Sequence, residues 1–191
     1  ALFAAEDLPL PHRVELGGYA HPVFADERVQ YIGQPLAVLA GEEIRRVHQA
    51  MGLVQPTYYE EDAVLEDDAD EAEIAGERSV ERGDADAYLR DAFQIVQGTY
   101  RSGPQEHLYS EPQAAFARPE DDKSMTIYTS TQWPHHVQRA VAGALNLPPR
   151  RVRVVATETG VHLDGKLWIP SLISVQAGLA ALRTGRPVKL V

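Results

Sequence analysis

The chain has 191 residues, 44% apolar and 24% charged, the balance of a globular protein with material for one generous domain or two small ones. A formal net charge of −10 argues against a nucleic-acid partner, and the lack of cysteine excludes disulfides, a cysteine zinc site and any iron–sulfur cluster ligated by this chain. No apolar run approaches the roughly 20 residues of a membrane span, and nothing reads as a signal peptide, so the expectation is a soluble, cytoplasmic protein without a membrane partner.

Taken in chain order, residues 1–35 are irregular, broken by Pro9, Pro11, Gly17, Gly18 and Pro22. Val29–Ile32, the Gly33-Gln34 turn and Pro35–Ala40 read as strand, turn and buried strand. Glu42 to Gly52 reads as a short helix, acidic at its start and closed by glycine. Thr57-Tyr58-Tyr59 is a further strand candidate. Between Val47 and Glu77 there is no Lys or Arg, while Glu60, Glu61, Asp62, Glu66, Asp67, Asp68, Asp70, Glu71, Glu73 and Glu77 accumulate. A solvated surface is the plain reading of such a run, and an acidic docking surface is the other. No regular calcium-loop spacing is present.

From Phe93 the sequence becomes richer in strand signals. Phe93–Tyr100, Gln113–Ala117 and Met125–Thr129 read as strands. Val137, Ala140, Val141, Ala144 and Leu145 form a one-sided apolar stripe, which predicts a helix over 135–145 ended by Pro148 and Pro149. Arg151–Val155 alternates charge with valine and reads as a half-exposed strand. Ser171 is placed to cap a helix over 172–183 that is apolar on nearly all faces and therefore buried. Pro187–Val191 reads as a strand without a partner, and with no initiator Met the chain is expected to be a piece of a longer polypeptide. The architecture expected is α+β, with a first domain over 1–95 that includes the acidic stretch and a second over 96–191.

Two segments concentrate the chemistry. Gln105–Gln113 is dense in polar side chains between strand-like regions, and Gly160–Lys166 is a glycine-bracketed loop leading into the apolar helix. Polar density beside a loop that ends at a helix N-terminus suits an anionic ligand. Glu106 and Glu111 are an odd number of residues apart, so in an extended run they face opposite ways and do not form a catalytic carboxylate pair. Glu106, His107 and Tyr109 read as braces for their strand. His135-His136 has no acidic or cysteine companions and does not read as a metal site.

Four passages in order resemble the molybdopterin-binding subunit of the xanthine dehydrogenase and aldehyde oxidase family: Val29–Val38, Gln105–Tyr109, Thr129–His135 and Thr184–Lys189. The resemblance implies a hammerhead-like domain over 1–95, then the first part of a molybdopterin-binding domain. It implies a molybdenum–molybdopterin cofactor, with iron–sulfur clusters and FAD on other domains or subunits. It also implies hydroxylation of an N-heterocycle or an aldehyde with oxygen from water, and a catalytic base outside these residues. The remainder of the large subunit and the iron–sulfur and FAD subunits are the partners so implied.

On this resemblance Gln105 takes the place of the amide that donates to the metal's apical oxo group, and Gly160, Leu163 and Gly165 belong to the cofactor loop. The family's loop is a run of glycines broken by one phenylalanine, then Gly-Lys-Glu. Here Gly160, Gly165 and Lys166 match. Val161, His162 and Asp164 stand at glycine positions, Leu163 replaces the aromatic and Leu167 the glutamate. Two readings fit: a divergent enzyme using His162, Asp164 and Leu167 on the substrate side, or a scaffold or assembly module that has lost the cofactor loop.

Overall fold

The computed structural model describes residues 1–9, 13–16, 18–62, 77–103 and 105–191; the acidic residues Glu66 to Glu73 lie outside them. The chain divides into two compact units, Ala1–Pro56 with His107–Val191, and Thr57–Glu106. Residues 1–56 thus pack with the second half of the chain, where a break near residue 95 was the expectation. Helices and strands are mixed, the α+β class anticipated.

In the first unit, β1 (Leu2–Phe3) pairs with β4 (Val38–Leu39), and β2 (Arg13–Leu16) forms a hairpin with β3 (Tyr19–Pro22). Helix α1 spans Ile44–Met51, close to expectation. The strand expected at Val29–Ile32 is instead a turn. Gly33 takes φ 89°, the Gln34 amide donates to the Tyr31 carbonyl, and Ile32 is fully exposed. Its apolar side chains have no ladder to join. Thr57–Tyr59 is likewise not a strand, and all three residues are exposed.

The core is a four-stranded sheet of order β7-β6-β5-β8, built from β5 (Ala115–Pro119), β6 (Met125–Thr129), β7 (Val152–Ala156) and β8 (Val188–Leu190). Strands β5 and β6 form an antiparallel hairpin. Helix α3 (Pro134–Ala144) carries the crossover from β6 to the parallel β7. Helix α4 (Ile169–Thr184) leads to β8, which pairs antiparallel with β5, so the last strand does have a partner.

The period-two alternation decides the faces. Ala115, Ala117, Met125 and Ile127 are buried with Val137, Val141, Val175 and Leu179 of the helices. Full burial of large aliphatic side chains is worth about 1.5–3 kcal/mol each, and this cluster is the main source of the unit's stability. On the other face Phe116 opposes Tyr128 with ring centroids 5.8 Å apart, and Arg118 lies over the Tyr128 ring. Gln176 of α4 donates to the Val23 carbonyl, 3.1 Å away, beside the buried Val23 and Phe24. That bond and those side chains bring residues 1–56 onto the core.

Helix α4 starts earlier than expected. Pro170 sits in its first turn, where a missing N–H costs nothing, and Trp168 is the N-cap. Ser171 is therefore inside the helix and fully buried, its hydroxyl 2.7 Å from His136 Nδ1. The other ring nitrogen of His136 is 2.7 Å from the Glu15 carbonyl, so both are engaged in structure.

The second unit, considered by itself, contains α2 (Ala85–Arg90), capped by Asp84, whose carboxylate accepts from the Ala87 amide at 2.9 Å. The strand expected at Phe93–Tyr100 is absent. Phe93, Val96 and Tyr100 are 103%, 82% and 91% exposed, and no described residue pairs with them. Among the described residues no helix is long and apolar enough to cross a membrane.

Candidate functional site

The end of β6 and the segment before β5 meet at the Gly160–Lys166 loop, all within the first unit. Residues 105–113 carry no regular strand, and Leu108 takes φ 53°. With no ladder to satisfy, Glu111, Pro112 and Gln113 turn their polar groups to the loop.

Glu111 reaches both ends of that loop. One carboxylate oxygen accepts from the Gly160 amide at 2.8 Å, and the other lies 3.6 Å from Lys166 Nζ. The Gly160 hydrogen bond is the main reason the Glu111 carboxyl titrates below its ordinary value of 4.5; partial burial opposes it, and the Lys166 charge acts in the same downward direction. The neighbouring Ser130 hydroxyl adds to this although it makes no well-formed hydrogen bond. Lys166 is completely buried, donates to the Pro112 carbonyl at 2.6 Å and has its ammonium 5.7 Å from the Tyr109 ring centroid. A buried ammonium requires a partner for each donor direction, and a carbonyl, a carboxylate and an aromatic face supply them.

Two glutamines complete the grip. Gln113 Nε2 donates to the Gly165 carbonyl at 2.8 Å. Gln132 donates from its side chain to Asp164 at 2.9 Å and from its backbone to the Lys166 carbonyl at 3.0 Å, and its side-chain oxygen accepts from the Lys166 amide at 3.2 Å. The loop is thus tied at residues 160, 164, 165 and 166, while Val161, His162, Leu163 and Asp164 are exposed.

The positions that hold glycine are the ones the brace touches. A Cβ on Gly165 would lie 1.9 Å from a Tyr109 ring carbon, far inside contact distance, and one on Gly160 would lie 3.3 Å from the Glu111 carboxylate. Inside the loop the Gly165 amide donates to the His162 carbonyl at 2.7 Å, and the Asp164 amide approaches His162 Nδ1 at 3.4 Å. Leu163 and Asp164 have φ of 42° and 63°. Aspartate tolerates this region and leucine does not, so the backbone strain is concentrated at Leu163.

A family model described as the molybdopterin cofactor-binding domain matches residues 65–191, more than half of the chain. The chain belongs to the molybdopterin cofactor-binding domain family. It is 31% identical over its whole length to aldehyde oxidase 2 of Cavia porcellus, of which it spans 14%. The same fold is found in the aldehyde oxidoreductase from Desulfovibrio gigas, with a TM-score of 0.76, 22% identity, all of this chain covered and 23% of that one. It is found too in quinoline 2-oxidoreductase from Pseudomonas putida 86, with a TM-score of 0.74, 19% identity and 99% and 26% covered.

Within this cofactor-binding domain, the structure brings Gly160, Leu163 and Gly165 into one loop, with His162 and Asp164 on its exposed tip and Leu167 half-buried just after it. The Asp164 carboxylate is occupied by Gln132. Gln105 is exposed and belongs to the second unit. In the sequence Glu111 is weighed only as a partner for Glu106, with no sign of its contact with the loop, nor of the parts played by Gln113, Gln132 and Lys166. A signal was available for part of this: a lysine leading into a helix destined for burial calls for a carboxylate partner. Among the described residues no group of three or more His, Cys, Asp or Glu is placed to hold a metal ion.

Proposed function

We propose that this chain forms part of a molybdenum hydroxylase of the aldehyde oxidase and xanthine dehydrogenase type, in which the tip of the Gly160–Lys166 loop faces the molybdenum–molybdopterin cofactor. The observation that carries the reading is the loop itself: rigidly tied at its base, exposed over four consecutive residues, in a chain of the cofactor-binding family. The residues fit the group. Gly160 and the tip residues Val161–Asp164 are all exposed, which leaves that face of the loop open to an anionic group. Val161 and His162, which stand where the resemblance expects glycine, are at the exposed tip, while Asp164 turns back to Gln132.

Gly160 and Leu163 would hold the cofactor from the loop, with Gly165, buried against Tyr109, setting the loop's seat. Gln105, considered by itself in the second unit, carries an amide of the kind the resemblance assigns to the metal's oxo group, a neutral donor that neither ionises nor competes as a metal ligand. His162 is the polar side chain of the tip best placed for a substrate contact; Asp164 serves the loop's own shape through Gln132. Leu167 offers an apolar surface where a carboxylate handle would otherwise stand. When bound, the cofactor supplies the two-electron oxidation that hydroxylates an N-heterocycle or an aldehyde with oxygen from water. The protein's own share is orientation and exclusion of water.

The proposal extends to iron–sulfur clusters and FAD on other domains or subunits as the electron path, to a cytoplasmic location and to the hammerhead-like assignment of residues 1–95. Residues 1–191 by themselves should be inactive and should not retain molybdenum. The reading is tested by screening the full-length polypeptide, made in a host that loads the cofactor, against purines, N-heterocycles and aldehydes. Hydroxylation of one class, with oxygen from labelled water in the product, is the expected result. Molybdenum-free full-length protein from that host would favour the scaffold alternative.

A further inference from the structure

A single carboxylate that holds both ends of a seven-residue loop, paired with a completely buried lysine, is an unusual expense if stability were its only purpose. A buried ion pair is often no more stabilising than apolar side chains of equal volume, so its retention points to placement. We propose that Glu111 and Lys166 are positioning residues that fix the height and tilt of the Gly160–Lys166 loop, and so where Val161–Leu163 are presented to the ligand. The proposal rests on reading that loop as the cofactor-facing one.

The geometry supports placement over simple packing. The two Glu111 oxygens are divided between Gly160 and Lys166, so the carboxylate cannot follow one end of the loop without leaving the other. Lys166 Nζ is fixed in turn by the Pro112 carbonyl, one residue along from Glu111, which makes the brace a closed ring of contacts. Tyr109 fills the space against Gly165 and bars the loop from settling lower. The tip has no comparable restraint above Asp164, so its position is inherited from the base.

The test uses the full-length polypeptide with Glu111→Leu, which removes the acceptor, Lys166→Met and the two combined, each compared with wild type in three measurements. Amide hydrogen exchange at Gly160 should rise on the order of 10- to 100-fold, the range for losing a hydrogen bond to a charged group, while Leu179 in α4 keeps its protection. Molybdenum content after expression in a loading host should fall in the same variants, and the fraction that still loads should show a shifted molybdenum(V) resonance signal. The double variant should be no worse than the more severe single one, because one brace is being removed. Unchanged exchange at Gly160 would overturn the proposal, as would exchange that quickens equally at Leu179, the sign of a merely structural role. Faster exchange with wild-type metal content and an unshifted signal would also overturn it. If the wild type itself holds no molybdenum, the cofactor reading fails, and the exchange comparison still decides whether Glu111 and Lys166 hold the loop.

Discussion

The base and the tip of the Gly160–Lys166 loop follow opposite rules. At the base, Gly160, Gly165 and Lys166 each touch Glu111, Tyr109 or Gln113, and each keeps the residue type of the glycine-rich loops this sequence resembles. At the tip, Val161, His162, Leu163 and Asp164 are exposed and all depart from that pattern. Packing dictates identity where the backbone is approached closely, and leaves it open where side chains face outward. On the proposed reading of the loop, the departures would alter the ligand contact and leave the support unchanged.

Substitutions break or sharpen that contrast. Gly165→Ala should do the most harm, about 3 kcal/mol of lost stability in chemical denaturation, because its methyl group would lie within 1.9 Å of the Tyr109 ring. Lys166→Ala should cost about 2 kcal/mol. That is less than the 3–5 kcal/mol typical of severing a wholly buried pair, since the Glu111 side chain is 30% exposed and water partly compensates it. Gln132→Ala should cost about 1–1.5 kcal/mol and loosen Asp164, seen as faster exchange of nearby amides. Leu163→Gly should be neutral or gain up to about 1 kcal/mol by relieving the positive φ, with the effect read from the denaturation midpoint. Val161→Ala should stay within about 0.5 kcal/mol; a larger loss would mean the tip is not free.

Acidity offers a further probe of the base. The folded-state pKa of Glu111 is depressed, so the brace contributes fully above the ordinary value of 4.5 and is lost as pH falls through the lower folded value. Stability of the wild type should fall more steeply below that point than stability of Glu111→Gln, in parallel denaturation series. Equal slopes would remove Glu111 from the brace.

The sheet and its helices were legible in the sequence because their signals are local and strong. Met125–Thr129 is rich in β-branched residues, the stripe from Val137 to Leu145 has helical spacing, and α4 is apolar on nearly all faces. What escaped was whatever depends on a distant partner. Val29–Ile32 and Phe93–Tyr100 have strand-like composition, yet a strand exists only where another backbone is offered. The pairing of β8 with β5 could not be seen from either strand alone. At the site, sequence reading isolated the loop and the Gln105–Gln113 segment but not their mutual grip, since Glu111 and Lys166 are separated by some fifty residues and their contact arises from the fold. Ser171 shows the same limit: a plausible cap by position, it became an interior residue because Pro170 starts the helix sooner.

The central claim is that this braced loop serves a molybdenum–molybdopterin cofactor, and elemental analysis tests it most directly. Full-length protein purified from a host that makes the cofactor should carry stoichiometric molybdenum, and the same protein with Gly165→Ala should carry far less. Metal-free wild-type protein from that host would contradict the claim.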